Sequence, residues 1–202
     1  MRILYLGPET QLCDWLRERG HQVYTLQAPL RVIGAQGFDW LVSYNYKHIV
    51  RSDVLEMFPC RAINLHISLL PHNRGYHPNL WAHVDGTPHG VTIHQMDAGV
   101  DTGHILVQER VEFNPHVDHT LETTWATLNE RIMWLFRRKW DDSAAGRIVA
   151  TPQDHSTATT HRKDDLRAVW GGMTARWRTP IAMLPTCLKM AQKESLSEED
   201  AS

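Results

Sequence analysis

Asn64 and His66 stand two residues apart in INLHISLLP, in an otherwise apolar run that reaches Ser68 before the next polar side chain. Two residues is the side-chain period of a strand, so both groups would leave one face, separated by roughly 7 Å of rise. An amide can donate to an oxygen that gains negative charge, and an imidazole can take or release a proton near neutral pH. A carboxylate is needed to orient or charge the imidazole, and Asp101 in the glycine-flanked loop QMDAGVDTGH is the candidate. An Asn, a His and an Asp around a carbonyl carbon make an acyl-transfer site that uses no metal and no protein nucleophile. Spacing alone leaves a plainer reading open, because an Asn or His near a strand end is commonly a hydrogen-bonded structural group.

These residues need a scaffold, and the chain alternates in a way that supplies one. Arg2 to Leu6 is an apolar run stopped by Gly7-Pro8, and Thr10 caps a helix carrying Leu12, Trp15 and Leu16 that Gly20 closes. His21 to Leu26, Asp39 to Ser43 and Ala62 to Leu65 read as further strands, with a turn-prone stretch before the second of these and a short helix from Ser52 before the third. Strand–helix alternation predicts an α/β protein with an open, mostly parallel sheet and flanking helices. Such sheets bind ligands beyond the carboxyl ends of their strands, where Asn64 and His66 fall. Gly90 to His94 and Ile105 to Val111 are two more strands, and Leu121 to Trp140 carries apolar residues at helical spacing up to Gly146. Thr151 to Thr160 reads as a polar loop, Leu166 to Met190 as one or two short edge helices, and SLSEEDAS as a frayed acidic end. The expected division is a catalytic domain over 1–150 and a loop-and-helix extension over 151–202.

Composition narrows the function classes. The 202 residues are 42% apolar and 22% charged with a formal net charge of −2, which offers no global basic field for nucleic acid or an anionic membrane. Three scattered cysteines without a CxxC pair point to neither a disulfide framework nor a zinc site, and a reducing cytoplasm fits best. No signal peptide or membrane-length apolar stretch is visible. Among the thirteen histidines, His72, His83 and His89 lack metal-ligand spacing and read as surface residues. Trp170 and Trp177 are expected to be exposed and could seat a second subunit, giving a possible homodimer.

The stretch from Ile63 to Phe113 resembles the formyltransferase family that uses 10-formyltetrahydrofolate as donor. The family's pattern of N-x-H-x-S-x-L-P, a glycine loop, G-V-T-x-H and D-x-G is matched in order by Asn64, His66, Ser68, Leu70-Pro71, Gly75, Gly90-Val91-Thr92, His94 and Asp101-Thr102-Gly103. The resemblance implies a Rossmann-like formyltransferase fold, here with an abridged N-terminal half, and catalytic roles for Asn64, His66 and Asp101. It implies a pterin slot formed by Tyr46, Lys47, His48, Ile49 and Val50 and by Gln95 to Val100, with His94, Asp97 and Val100 contributing. Arg74, Tyr76, His77, Asn79 and Trp81 would face the acceptor, with Arg74 suited to a phosphate, and His161 and Lys163 could fold over the acceptor's charged part. Trp81 fits the core at least as well, and Asp97 fits a turn cap equally well.

Within the family, SYNYKHIV, the stretch around Asn64 and HRKDD look most like the small sugar N-formyltransferases. The chain stops before the extra barrel of methionyl-tRNA formyltransferases, and its charge argues against tRNA. The expected reaction carries a formyl group from 10-formyltetrahydrofolate, without metal, to the amine of a nucleotide-linked amino sugar. Formylation of an aminoacyl or peptide amine, and a non-catalytic folate-binding protein, are the alternatives.

Overall fold

The computed structural model of the protein describes residues 1–170 and 173–188. The expectation of a frayed acidic end lies outside the described residues.

Six strands form one sheet in the order β2-β1-β3-β4-β6-β7. They are β1 Arg2–Leu6, β2 Gln22–Leu26, β3 Trp40–Tyr44, β4 Ala62–His66, β6 Gly90–Gln95 and β7 Ile105–Arg110. The pairings among β2, β1, β3 and β4 are parallel, whereas β6 is antiparallel to both β4 and β7. The mostly parallel expectation therefore holds for the first four strands, and the far edge turns back on itself. All five residues of β3 are buried, as a strand covered on both faces requires.

The covering layers follow from caps and apolar faces. Thr10 caps α1 (Gln11–Glu18), its hydroxyl accepting from the Leu12 amide at 3.3 Å. The long helix α5 (Leu121–Ala144) starts at Thr120, whose hydroxyl accepts from the Thr123 amide while Thr123 reaches back to the Thr120 amide. α1 and α5 bury Leu12, Leu16, Leu128, Ile132 and Phe136 against Tyr5, Val42 and Ile93 of the sheet. The opposite face is covered by Ala35 of α2 (Val32–Ala35) and Val54 of α3 (Ser52–Leu55), together with Phe58. α2 lies in the stretch that reads as turn-prone; it is four residues long and has no side-chain cap, so it leaves no periodic signal.

Beyond β4 the chain makes three features that periodicity does not announce. β5 (Arg74–Gly75) pairs with β8 (Thr160–His161) in a separate two-stranded ribbon. Gly75 has φ of 86°, and a Cβ there would meet the His161 carbonyl oxygen at 2.3 Å, so only glycine fits. α4 (Pro78–Asp85) opens with proline in its first turn, the position where a missing N–H costs nothing. Among the described residues after α5, Leu166, Val169, Met173 and Leu184 pack with Leu80, Trp81 and Leu121 in one apolar cluster.

Several side chains sit elsewhere than the sequence implies. His72, His83 and His89 are half-buried rather than on the surface. His83 and His89 pack ring to ring at 4.1 Å beside Phe113, in a cleft that His119 also lines. Trp170 and Trp177 are half-buried against each other at 4.9 Å, so neither is the exposed seat expected for a partner subunit. Among the described residues no helix is long and apolar enough to cross a membrane, and no group of His, Cys, Asp and Glu is arranged to hold a metal ion.

Candidate active site

β4 ends at His66 in the middle of the sheet, flanked by β3 and β6, and carries both Asn64 and His66 to the carboxyl edge. Asp101 arrives from the β6–β7 loop with φ of 54°, a left-handed conformation that Asp tolerates better than most residues. The loop approaches its own strand so closely that a Cβ on Gly103 would meet the Gln95 carbonyl oxygen at 1.8 Å. The D-x-G pattern is thus a matter of backbone space as well as chemistry.

The three side chains converge. Asp101 Oδ2 lies 3.5 Å from His66 Nδ1 and accepts the Gly75 amide at 2.9 Å. Asn64 Nδ2 donates to Asp101 Oδ1 at 3.1 Å and lies 3.2 Å from His94 Nε2. His94 Nδ1 donates to the Gln95 carbonyl at 2.7 Å, so in the neutral ring Nε2 is the acceptor for Asn64, with Asp101 Oδ1 3.4 Å from the same nitrogen. Asn64 therefore spends both N–H groups on Asp101 and His94, and the opposite amide orientation would set an oxygen against a carboxylate. Its carbonyl oxygen is the hydrogen-bonding atom left over at the cavity wall. The expectation that Asn64 donates to a developing oxyanion does not match this arrangement, in which its free atom is an acceptor.

His66 is 7% exposed. Its Nε2 donates to the Asn73 carbonyl at 3.0 Å, so in the neutral ring Nδ1 is bare and faces Asp101. Burial lowers the imidazole's pKa below its usual value, and the Asp101 carboxylate opposes that shift. For Asp101 burial pushes upward, but the neighbouring His66 and His94 rings, and after them the Gly75 amide, outweigh it and hold the carboxyl well below the usual carboxylate range. The outcome is an ionised carboxylate beside an imidazole nitrogen that is ready to accept a proton.

Asn64, His66 and Asp101 line a cavity of about 450 Å³, a size typical of small-molecule sites. Of the expected pterin residues, Tyr46 and Lys47 line it as well, joined by Gly7, Pro8, Gln27 and Asn45. His48 and Ile49 are exposed on the same loop without lining the cavity, and Val50 is buried in the core beneath. His94 does not line the cavity either; it is 2% exposed and stands behind Asn64 and Asp101. Asp97 caps its own turn through the Gly99 amide and the Thr102 hydroxyl, and Val100 is exposed.

The expected acceptor residues also divide. Tyr76, His77 and Asn79 line the cavity, with Trp125 of α5 and Trp177 completing that end. Arg74 does not: its guanidinium is buried and bonded to Gln153 and His155, so it is not offered to a phosphate. Trp81 is core, stacked on the His161 ring at 4.0 Å, and His161 Nε2 lies 2.7 Å from Asp85 Oδ2. Lys163 is exposed in a short turn of helix away from the cavity. Sequence reasoning missed Gln153 and Trp125 as parts of the site. Trp125 had a visible signal, its place on α5 among core positions, but helical periodicity assigns it to the core and not to a cavity wall.

Comparison with known proteins agrees with this geometry. A formyl transferase family model matches residues 17–136, more than half of the chain. The formyltransferase PseJ from Anoxybacillus kamchatkensis, solved with UDP-4,6-dideoxy-4-formamido-L-AltNAc and tetrahydrofolate, superposes with a TM-score of 0.87 at 38% identity. The match covers 91% of this chain and 97% of that one. A 4-N formyltransferase from Francisella tularensis shares the fold, with a TM-score of 0.71 at 20% identity over 83% of this chain and 78% of that one. Among curated sequences, the methionyl-tRNA formyltransferase of Anaeromyxobacter sp. (strain K) is 38% identical over 169 residues, covering 77% of this chain and 52% of the relative. The chain thus spans about half the length of the curated relatives it matches. With the Asn64, His66 and Asp101 cluster at the carboxyl edge of such a sheet and a family match running through it, the chain belongs to the formyl transferase family.

Proposed function

We propose that this chain transfers a formyl group from 10-formyltetrahydrofolate to the amine of a nucleotide-linked amino sugar. The observation that carries the reading is the convergence of Asn64, His66 and Asp101 on one cavity wall. The acceptor class is supported by the likeness to PseJ, which spans nearly all of that chain. The free Asn64 carbonyl and the mixed polar and apolar walls fit a folate and an amine together. The three free cysteines are consistent with a reducing cytoplasm.

The folate donor supplies the formyl carbon as an activated one-carbon unit. The protein's own groups do the rest. Asn64 Oδ1 accepts an N–H of the acceptor amine, which turns its lone pair toward that carbon. His66 Nδ1 takes the proton the amine loses, and Asp101 stabilises the imidazolium that results. That cation, on a buried ring next to the reacting centre, also favours negative charge on the carbonyl oxygen. His66 then returns its proton to the departing folate nitrogen. Tyr46 and Lys47 lie on the side assigned to the folate, and Tyr76, His77 and Asn79 on the side assigned to the acceptor.

The curated relatives favour one second reading, formylation of methionyl-tRNA. A steady-state assay separates the two: tetrahydrofolate release is followed with a panel of nucleotide-linked amino sugars and with charged initiator tRNA. Turnover with at least one sugar nucleotide and none with tRNA is expected. Turnover with tRNA alone would replace the sugar reading.

A further inference from the structure

Gln153 falls in the stretch that reads from sequence as a polar loop, yet it is 5% exposed, and both hydrogen-bonding atoms of its amide have two partners. Its Nε2 donates to the main-chain carbonyls of Asp101 at 2.9 Å and Gly103 at 2.7 Å. Its Oε1 accepts from Nε and Nη2 of Arg74 at 3.1 and 2.6 Å. Arg74 immediately precedes Gly75, whose amide donates to Asp101 Oδ2 at 2.9 Å. A single amide group therefore ties the backbone of Asp101 to the strand that binds its carboxylate.

The need for such a tie is local. Asp101 lies outside any strand or helix, at φ of 54°, so no regular ladder of backbone bonds fixes it. Its carboxylate faces His66 Nδ1 at 3.5 Å, a separation at which small rotations of the loop would lose the contact. Gln153 does not line the cavity, and its contacts reach the site through Asp101 and Arg74.

We propose that Gln153 is a positioning residue for formyl transfer, acting through Asp101 to keep its carboxylate on His66 while Arg74 anchors the other end of the same amide. The proposal rests on the formyltransferase reading given above. Misplacing a catalytic group by about 1 Å commonly costs one to two orders of magnitude in rate. A group that works through Asp101 should therefore change turnover and leave folate binding nearly alone.

Two variants test it. Gln153→Met removes both donors and the acceptor at similar volume, and Gln153→Glu keeps an acceptor for Arg74 while losing both donors. The second guards against the first failing to fold, since Gln153→Met leaves the buried Arg74 with only its His155 contact. Both are expected to lower kcat by about tenfold or more with the KM for 10-formyltetrahydrofolate little changed. In Gln153→Met the acid limb of the kcat profile should also move to lower pH, because Asp101 is the group that opposes the effect of burial on His66. Folded variants with wild-type kcat, or a loss confined to melting temperature or to KM, would overturn the proposal. An inactive wild-type chain would sink the functional reading along with it, whereas an active wild type with unaffected variants would remove only the role of Gln153.

Discussion

His66 has two ring nitrogens with different neighbours, and the difference decides its role. Nε2 is held by the Asn73 carbonyl, so in the proposed mechanism the proton taken from the acceptor amine goes to Nδ1, beside Asp101. Replacing His66 with Ala should lower kcat by about a hundredfold or more, on the scale of general acid–base and charge-stabilising terms, while folate still binds. Measured kcat within a few-fold of wild type would take His66 out of the mechanism. Asp101→Asn tests the other half. Without the carboxylate, burial lowers the imidazole's pKa unopposed, so the ring accepts a proton less readily. Turnover is expected to fall, and the acid limb of its pH profile to shift downward; an unchanged limb would show that Asp101 does not tune His66.

At the scale of elements, the β5–β8 ribbon does for the site what the main sheet cannot, presenting the Gly75 amide to Asp101 from the opposite side. Gly75→Ala would set a Cβ 2.3 Å from the His161 carbonyl at a left-handed φ. A destabilisation of about 1–3 kcal/mol is expected from that strain, readable by denaturant unfolding, together with lost activity. Stability equal to wild type would mean that the ribbon is not held as described. α5 makes a second support: Tyr44 at the end of β3 donates to Asn129, whose own Nδ2 donates to the Trp125 carbonyl at 2.6 Å. These links explain what was legible in the sequence and what was not. Asn64 and His66 stand out because strand period and an apolar setting isolate them, and Asp101 because glycines flank it. Gln153 is one polar residue among Thr, Pro, Asp and His, and its meaning comes only from contact with a loop some fifty residues earlier in the chain. Arg74 misleads for the same reason, since nothing near it in sequence reveals the Gln153 acceptor that occupies it. β5, β8 and α2 are too short for a periodic pattern to mark them.

Over the whole molecule, buried imidazoles set the acid side of stability. Burial lowers His66, His83 and His89 below the ordinary imidazole value of 6.5, His83 to about 3 and His89 to about 4. The unfolded chain therefore binds more protons below pH 6.5, and stability is lost as pH falls from that value toward the folded pKa values. Asp101, depressed from 3.8, adds a loss only below that pH. Melting temperature should drop by several degrees between about pH 7 and about pH 5, and a His83→Gln/His89→Gln variant should show a flatter dependence. A melting temperature independent of pH across that range would contradict the buried, neutral placement of these rings.

The central claim is that Asn64, His66 and Asp101 surround the carbon being transferred. The most direct test is a crystal structure of the complex with folinic acid, a stable stand-in for the donor, and an amino-sugar nucleotide that the enzyme turns over. The sugar amine is expected within hydrogen-bond reach of Asn64 Oδ1, with the formyl group beside His66 and the pterin toward Tyr46 and Lys47. A pterin bound elsewhere, or an amine held away from Asn64 and His66, would contradict the account.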